Sequence, residues 1–288
     1  MASRKNFYRI LSAEGYQVKR VLVTGSSGYI GQHLVQLLKE HYSIEGLDYN
    51  SSNNVKLHIV DINDITSDFN HVYDTVIHLA ALVNVNESVS KPLEYYQTNI
   101  TGTLNVLKNI QYKNFVFAST GTASQPTCPY ALSKRVAEDI VEKYCQDNDK
   151  TFTIFRFYNV IGTDGFPPTN PDGLFYNLIK SETTGTFKIF GSDYNTKDGT
   201  CVRDYVHVNE ICHALKEAIE SPSNKLENLG HGIGWTVQEI VELYKQVNHA
   251  TFNVQLVDRR DGDLEKTVLD NVSSYMKTIY TIEELLKK

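Results

Sequence analysis

The feature that most constrains this chain is a glycine-spaced turn set between an apolar strand and an amphipathic helix. Lys19–Thr24 (KRVLVT) reads as a buried strand, and Ile30–Glu40 carries Ile30, Leu34, Leu37 and Leu38 at helical spacing. Between them lies Gly25-Ser26-Ser27-Gly28-Tyr29-Ile30-Gly31. Glycines there let the backbone turn tightly and approach a pyrophosphate. The helix N-terminus adds unpaired N–H groups and positive potential. A glycine triplet alone is a weak sign; its place after a strand and before a helix makes it a dinucleotide cradle.

The first half continues to alternate short β-rich runs with helical patterns. Strands are expected near Ser43–Leu47, Val55–Val60, Thr75–Leu79, Asn114–Ala118 and Phe152–Phe157. Helices are expected over Pro92–Asn109 and Pro129–Cys145. This alternation implies an α/β fold: a Rossmann doubly wound parallel sheet covered on both faces. After residue 160 the pattern changes. Gly162–Gly173 is a Gly/Pro/Asn/Asp-rich loop, followed by a helix near Leu174–Ser181 and a strand near Phe187–Phe190. The expected division is an N-terminal extension (1–18), a dinucleotide-binding domain (19–160, its sheet completed by later segments) and a smaller C-terminal substrate lobe (161–288).

Bulk properties exclude several classes. The net charge of −6 argues against a nucleic-acid surface. No apolar run reaches the roughly 18 residues that span a bilayer, so no membrane partner is expected. The four cysteines form no C-x-x-C pair, and no histidine cluster accompanies His78 or His207. Reduced thiols in a cytoplasmic protein and no metal site are therefore expected.

Candidate cofactor residues follow the strand ends. Asp48 lies about 20 residues beyond the glycines, where a carboxylate accepts hydrogen bonds from an adenosine ribose and repels a 2′-phosphate. No Arg stands beside it, which favours NAD over NADP. A solvated turn aspartate is the plainer alternative. Asp61 and Ile62, after the third strand, are placed to meet an adenine ring. Leu79, Ala80 and Ala81, after the fourth, are small enough on average for backbone to pass a cofactor.

Tyr130 and Lys134 form Y-x-x-x-K at the start of a helix, on one helical face. A nearby ammonium favours a phenolate, so the pair suits a general base for a hydroxyl. The same spacing also occurs on ordinary amphipathic helices. Here it follows a strand ending in Ala118-Ser119-Thr120, and strand carboxyl ends are where such sheets bind ligands. Thr120 offers a hydroxyl to share the proton.

Taken together, these residues resemble the extended short-chain dehydrogenase/reductase family and, within it, the UDP-hexose 4-epimerases. The supporting stretches are HLAALVNVNESVSKPLEYYQTNITGTLNVL from His78, FRFYNVIG from Phe155, FGSDYNTKDGTCVRDYVHV from Phe190, NLGHGIGWTVQEI from Asn228 and RRDGDL from Arg259. The resemblance implies an isomerase with bound NAD and a UDP-sugar substrate. It would oxidise C4 transiently, turn the 4-ketose and return hydrogen to the other face. It further implies Tyr130 as base, Lys134 as its partner and a cofactor ribose ligand, and Thr120 as relay. Asn99 and Phe157 would line the nicotinamide end; Asn159, Arg203, Arg260 and Asp263 would hold UDP. A homodimer through helices 92–109 and 129–145 is implied as well.

There are departures. Only nine residues, 121–129, separate Thr120 from Tyr130. Val83 stands where many relatives carry a Lys, and Gly173 near the usual substrate-loop Asn. Thr267 occupies the position of a bulky gate in glucose-restricted relatives, which predicts room for a 2-acetamido group. A dehydratase of the same fold needs an Asp-Glu pair directly after the Thr; here Gly121-Thr122 follows. A nucleotide-binding sensor without turnover is the rival from another class, and the intact Thr120, Tyr130 and Lys134 argue against it.

Overall fold

The computed structural model describes residues 18–50, 55–66, 69, 71–260, 262–277 and 280–288. The expected N-terminal extension lies, except for its last residue, outside the described residues. The first strand, β1 (Arg20–Thr24), is buried from its second residue onward. It pairs in parallel with β2 (Ser43–Asp48) on one side and β4 (Val72–His78) on the other. A central parallel strand has no solvent face, which is why Val21, Leu22 and Val23 are all apolar and Thr24, at the strand end, is buried with its hydroxyl bonded to His78. The full sheet has seven strands. Beyond β2 lies β3 (Lys56–Ile59); beyond β4 lie β5 (Gln111–Thr120), β6 (Thr151–Phe157) and β10 (Lys225–Leu229). All its pairings are parallel. The doubly wound Rossmann sheet expected from the alternation is thus present.

Helices cover both faces. On one, α1 (Tyr29–Leu38) and α6 (Val208–Glu220) bury Leu34, Val35, Leu38, Ile211, Leu215 and Ile219 against the sheet. On the other, residues 92–109 form α3, and Pro129–Asp147 forms α4, which buries Ala137, Val141 and Cys145. The helix α3 begins as an α-turn at Pro92–Tyr96, widens to a π-turn over Gln97–Thr101 and closes as α-helix over Gly102–Asn109. A short α2 (Val85–Ser90) precedes it, capped by Asn84, which accepts from Glu87 N; the sequence reading did not separate it. Parallel registry sets the carboxyl ends of β1, β4, β5 and β6 along one edge. Thr24 pairs with His78, and Thr120 with Phe157.

The remaining elements form a second core. β9 (Val202–His207) pairs with β7 (Asn159–Ile161), β11 (Gly234–Thr236) and β13 (Lys266–Thr267). β8 (Thr186–Phe190) pairs with β12 (Asn253–Val257). α5 (Leu174–Thr184) and α7 (Val237–Asn248) pack Phe175, Leu178, Ile240 and Tyr244 onto them.

One charged pair is sealed inside the sheet–helix interface. Glu138 on α4 is 1% exposed and takes both Arg156 Nε (2.8 Å) and Nη2 (2.6 Å). Ser119 Oγ also donates to it at 2.5 Å. Breaking such a pair leaves a buried guanidinium uncompensated. Glu138→Ala is expected to cost ~3–5 kcal/mol, read as a lower denaturant midpoint; an unchanged midpoint would contradict the account.

Candidate active site

The glycine turn is built by close packing. Gly25 has φ +71°, and a Cβ there would stand 2.7 Å from Ala80 N. A Cβ on Gly31 would stand 2.1 Å from Gly25 O. Those two glycines therefore seat α1 on the end of β1 and β4. Gly28 differs: a Cβ there would meet Gly25 O at 3.2 Å and no other atom within 4 Å. It is the N-cap of α1 and gives no side chain to the first N–H groups. An open glycine below an uncapped helix N-terminus fits a pyrophosphate, beside Tyr29 and Ile30.

Asp48 closes the turn. It is 6% exposed, accepting from Ser27 N at 2.9 Å and Asn50 N at 3.0 Å. Its carboxylate is thus held at the end of β2 rather than waving in solvent. Asp61 caps the 3-10 turn Ile62–Asp64 by accepting from Asn63 N, and Ile62 is buried beneath it. Leu79 N bonds Thr24 O (3.1 Å), and Ala80 N bonds Thr24 Oγ1 (3.3 Å), so the strand-end backbone is pinned next to Gly25. His78 is a core residue, set between Thr24 Oγ1 (2.6 Å) and Thr103 Oγ1 (3.0 Å). Burial lowers its pKa to about 3, which keeps it neutral.

Past this edge opens a cavity of about 690 Å³. Its wall brings together Thr120, Tyr130, Phe157, Asn159, Arg203, Arg260, Asp263 and Thr267, all of which the sequence singled out. Val83 and Gly173, the two departures, line it too. Gly25, Gly28, Tyr29, Ile30, Gly31, Asp48, Asp61, Ile62, Leu79, Ala80 and Ala81 are not on that wall, and neither are Asn99 and Lys134. Asn99 is 1% exposed; its amide accepts from Leu82 N (2.9 Å) and donates to Leu82 O (3.0 Å) and Ser133 Oγ (2.9 Å). It clamps the segment after Ala81 to α4. Lys134 is 3% exposed, donates to Ala118 O at 2.8 Å and packs over the Phe117 ring.

The electrostatics differ from the expectation of a phenol lowered by its lysine. Burial pushes Tyr130 up to about 12, and a hydrogen bond from Thr120 pulls the other way. Burial also pushes Lys134 down to about 7, against the field of Glu138. Desolvation penalises the charged form of each group, so taking both from water opposes phenolate and ammonium together.

At the far end, Arg203 meets Asp263 at 3.6 Å and donates to Val202 O. Arg260 stacks 3.7 Å from the Phe190 ring centroid and reaches Asp172 O at 3.4 Å. Asn86 Nδ2 donates to Asp172 Oδ2 at 2.9 Å, tying the 170–173 segment to α2. Sequence reasoning missed Phe190, Asp172 and Asn86 as wall residues, and also Tyr205. Tyr205 is 2% exposed, lines the cavity and has no partner for its hydroxyl among the described residues. Burial raises the pKa of this phenol, with the charge of Arg203 opposing. Only its place two residues after Arg203 pointed to it. Gly121 touches Tyr158: a Cβ at 121 would meet that ring at 2.9 Å.

A cavity with clustered hydroxyls (Thr120, Thr122, Tyr130) and two guanidiniums (Arg203, Arg260) on its wall suits a phosphorylated small molecule. The chain belongs to the NAD-dependent epimerase/dehydratase family, whose model matches residues 21–230. It is 35% identical to the UDP-glucose 4-epimerase of Erwinia amylovora, across 85% of this chain and 87% of that protein. Its structure is similar to UDP-glucose 4-epimerase from Bifidobacterium longum, solved with NAD+ and UDP, at a TM-score of 0.81. The two are 28% identical over 93% of this chain and 96% of that one. It is also similar to the UDP-N-acetylglucosamine 4-epimerase of Methanobrevibacter ruminantium, solved with UDP-N-acetylmuramic acid. There the TM-score is 0.80 and the identity 26%, over 94% and 96% of the two chains.

The Lys134 burial has a pH signature. Its folded pKa is depressed, so below about 7 the folded protein carries the full cost of a buried ammonium. The cost is relieved as pH rises towards the unfolded lysine value of about 10.4. Lys134→Met should therefore gain more stability over the native protein at pH ~6 than at pH ~9. Urea midpoints at both values measure the gap; an equal gap would show that Lys134 is not desolvated.

Proposed function

We propose that the chain is an NAD-dependent 4-epimerase of UDP-hexoses, and that Thr120, Tyr130 and Lys134 carry the proton chemistry. One observation bears most of the weight. A single cavity joins the Thr120–Tyr130 hydroxyl pair to Arg203, Arg260 and Asp263. Gly25, Gly28, Tyr29, Ile30 and Gly31 would hold the cofactor pyrophosphate. Asp48 would hold the adenosine ribose, and Asp61 and Ile62 the adenine. Leu79, Ala80, Ala81, Asn99, Lys134 and Phe157 would shape the nicotinamide end. When bound, NAD supplies the acceptor for the hydrogen leaving C4 and a cationic ring that favours the phenolate.

Every other step belongs to the chain. Tyr130, as the phenolate to which Thr120 donates, takes the proton of the C4 hydroxyl and becomes the phenol. Arg203 and Arg260 grip the diphosphate in the bidentate manner of guanidinium groups. Asp263 accepts from the uridine ribose, and Asn159 adds a polar contact. Anchoring there leaves the hexose free to turn while binding energy remote from C4 keeps it in place. Tyr130 then returns the proton. Elimination chemistry lacks its carboxylates, since Gly121 and Thr122 follow Thr120.

The substrate range follows from Thr267, a small residue on the cavity wall; UDP-N-acetylglucosamine is included. A homodimer through α3 and α4 is supported by Leu93 (78% exposed), Leu104 and Leu132, apolar side chains facing outward from those helices. Sedimentation as a monomer at assay concentration would remove it. Among the described residues no helix is long and apolar enough to cross a membrane. All four cysteines are free thiols, which suits the reducing cytoplasm.

The decisive experiment incubates the purified protein with NAD and UDP-glucose, UDP-galactose or their 2-acetamido forms and separates the products. Tyr130→Phe should retain bound NAD yet lose roughly 100-fold or more in kcat. Equal turnover by the two proteins would remove Tyr130 from the reaction. Thr267→Tyr should lose the acetamido sugar selectively; loss of both sugars alike would refute the gate.

A further inference from the structure

Among the cavity-wall hydroxyls that the proton chemistry above leaves without a task is that of Thr122. Thr122 Oγ1 lies 3.1 Å from Thr120 Oγ1. The Thr120 hydroxyl in turn acts on Tyr130, lowering the pKa of its phenol against the effect of burial, and all three residues line the cavity. We propose that Thr122 is a positioning residue: it fixes which way the Thr120 proton points, and so completes a three-hydroxyl relay ending on Tyr130. The kinetic arm of this proposal rests on the epimerase reading; the geometric arm does not.

The argument is a count of protons. A threonine hydroxyl has one proton to give and two lone pairs. When Tyr130 is a phenolate, the single Thr120 proton belongs on it. The 3.1 Å contact must then be made with the proton of Thr122. When Tyr130 holds the substrate proton, its O–H donates to Thr120, and the Thr120 proton turns towards Thr122. Thr122 can give or accept, so the chain is satisfied in both states. The relay itself changes no bond to carbon: one proton passes between the C4 oxygen and Tyr130, and the threonine O–H groups only rotate. Such chains polarise one another where water is excluded. Burial disfavours the Tyr130 anion, so an aligned donor matters more there than in solvent.

Local structure holds Thr122 in place. It sits in the 3-10 turn Gly121–Ser124, closed by Gln125 N on Thr122 O (3.2 Å) and by Ser124 Oγ on Gly121 O (2.7 Å). The Tyr158 ring lies against Gly121 and limits how the turn can shift. Thr120 itself is fixed by its sheet register with Phe157.

Thr122→Val keeps the shape and removes the hydroxyl; Thr122→Ser restores it. Thr122→Ala removes it without the second methyl and gives an independent copy of the first arm. Tyrosinate absorbance is titrated with NAD bound, each protein being read against its own Tyr130→Phe counterpart. The Tyr130 transition should move up by roughly half a unit or more in the Val and Ala variants, and return in Ser. For UDP-glucose, kcat should fall roughly three- to tenfold with KM held within about twofold. The acid limb of kcat should move to higher pH, because a weaker donor raises the pH at which the base is free. In a Thr120→Val background, Thr122→Val should add no further loss. Coincident titrations of the native and Val proteins would overturn the proposal, as would full additivity in that background. Absence of epimerisation by the native protein would remove the functional reading, while the titration would still decide the role of Thr122.

Discussion

The contact on which the site depends is between two stretches of backbone. Helix α1 starts so close to the end of β1 that a methyl group on Gly31 would overlap the Gly25 carbonyl. Because nothing separates them, the first N–H groups of α1 emerge directly over the carboxyl edge of the sheet. That edge is level because the strands are parallel and in register, Thr24 with His78 and Thr120 with Phe157. The start of α1, the Asp48 carboxylate and Thr120 therefore share one rim. A side chain at either glycine would push α1 away from that rim.

A second constraint is electrical. Burial works against the charged form of Tyr130 and of Lys134 alike. The fold answers with fixed partners rather than with water: Thr120 for the phenol, Ala118 O for the ammonium, and the field of Glu138 one turn further along α4. Glu138 is itself held by Arg156 and Ser119. The buried pair thus links β5, β6 and α4 just beneath the cavity floor. It places a negative charge where the lysine benefits without exposing a carboxylate to the substrate.

Much of this was legible from residue order. The apolar run ending in a glycine-spaced turn could only be a central parallel strand feeding a helix. The Y-x-x-x-K pair could be placed on one face of α4 because helical geometry is regular. The wall residues Arg203, Arg260, Asp263 and Thr267 were legible only through resemblance, since β9 and the 259–267 segment meet by tertiary packing that no periodicity reports. Three things stayed hidden. Asn99 was named through resemblance, but its inward turn in the π-helical stretch, where it clamps Leu82, was not legible. Tyr205 reads as an ordinary strand aromatic until its hydroxyl is found without a partner. Thr122 was visible only as the residue that is not a carboxylate, and its contact with Thr120 needed the 3-10 turn to bring it round.

The crowding at Gly121 has a consequence for what this scaffold could become. A neighbouring activity that removes water from the sugar would want an acid immediately after Thr120. With the Tyr158 ring already filling the space beyond the Gly121 α-carbon, that acid cannot simply be inserted. The tyrosine would have to shrink or swing aside first, and it is itself part of the cavity wall. The route from one chemistry to the other therefore passes through an intermediate with a hole in its binding surface, a barrier of shape rather than of reactivity.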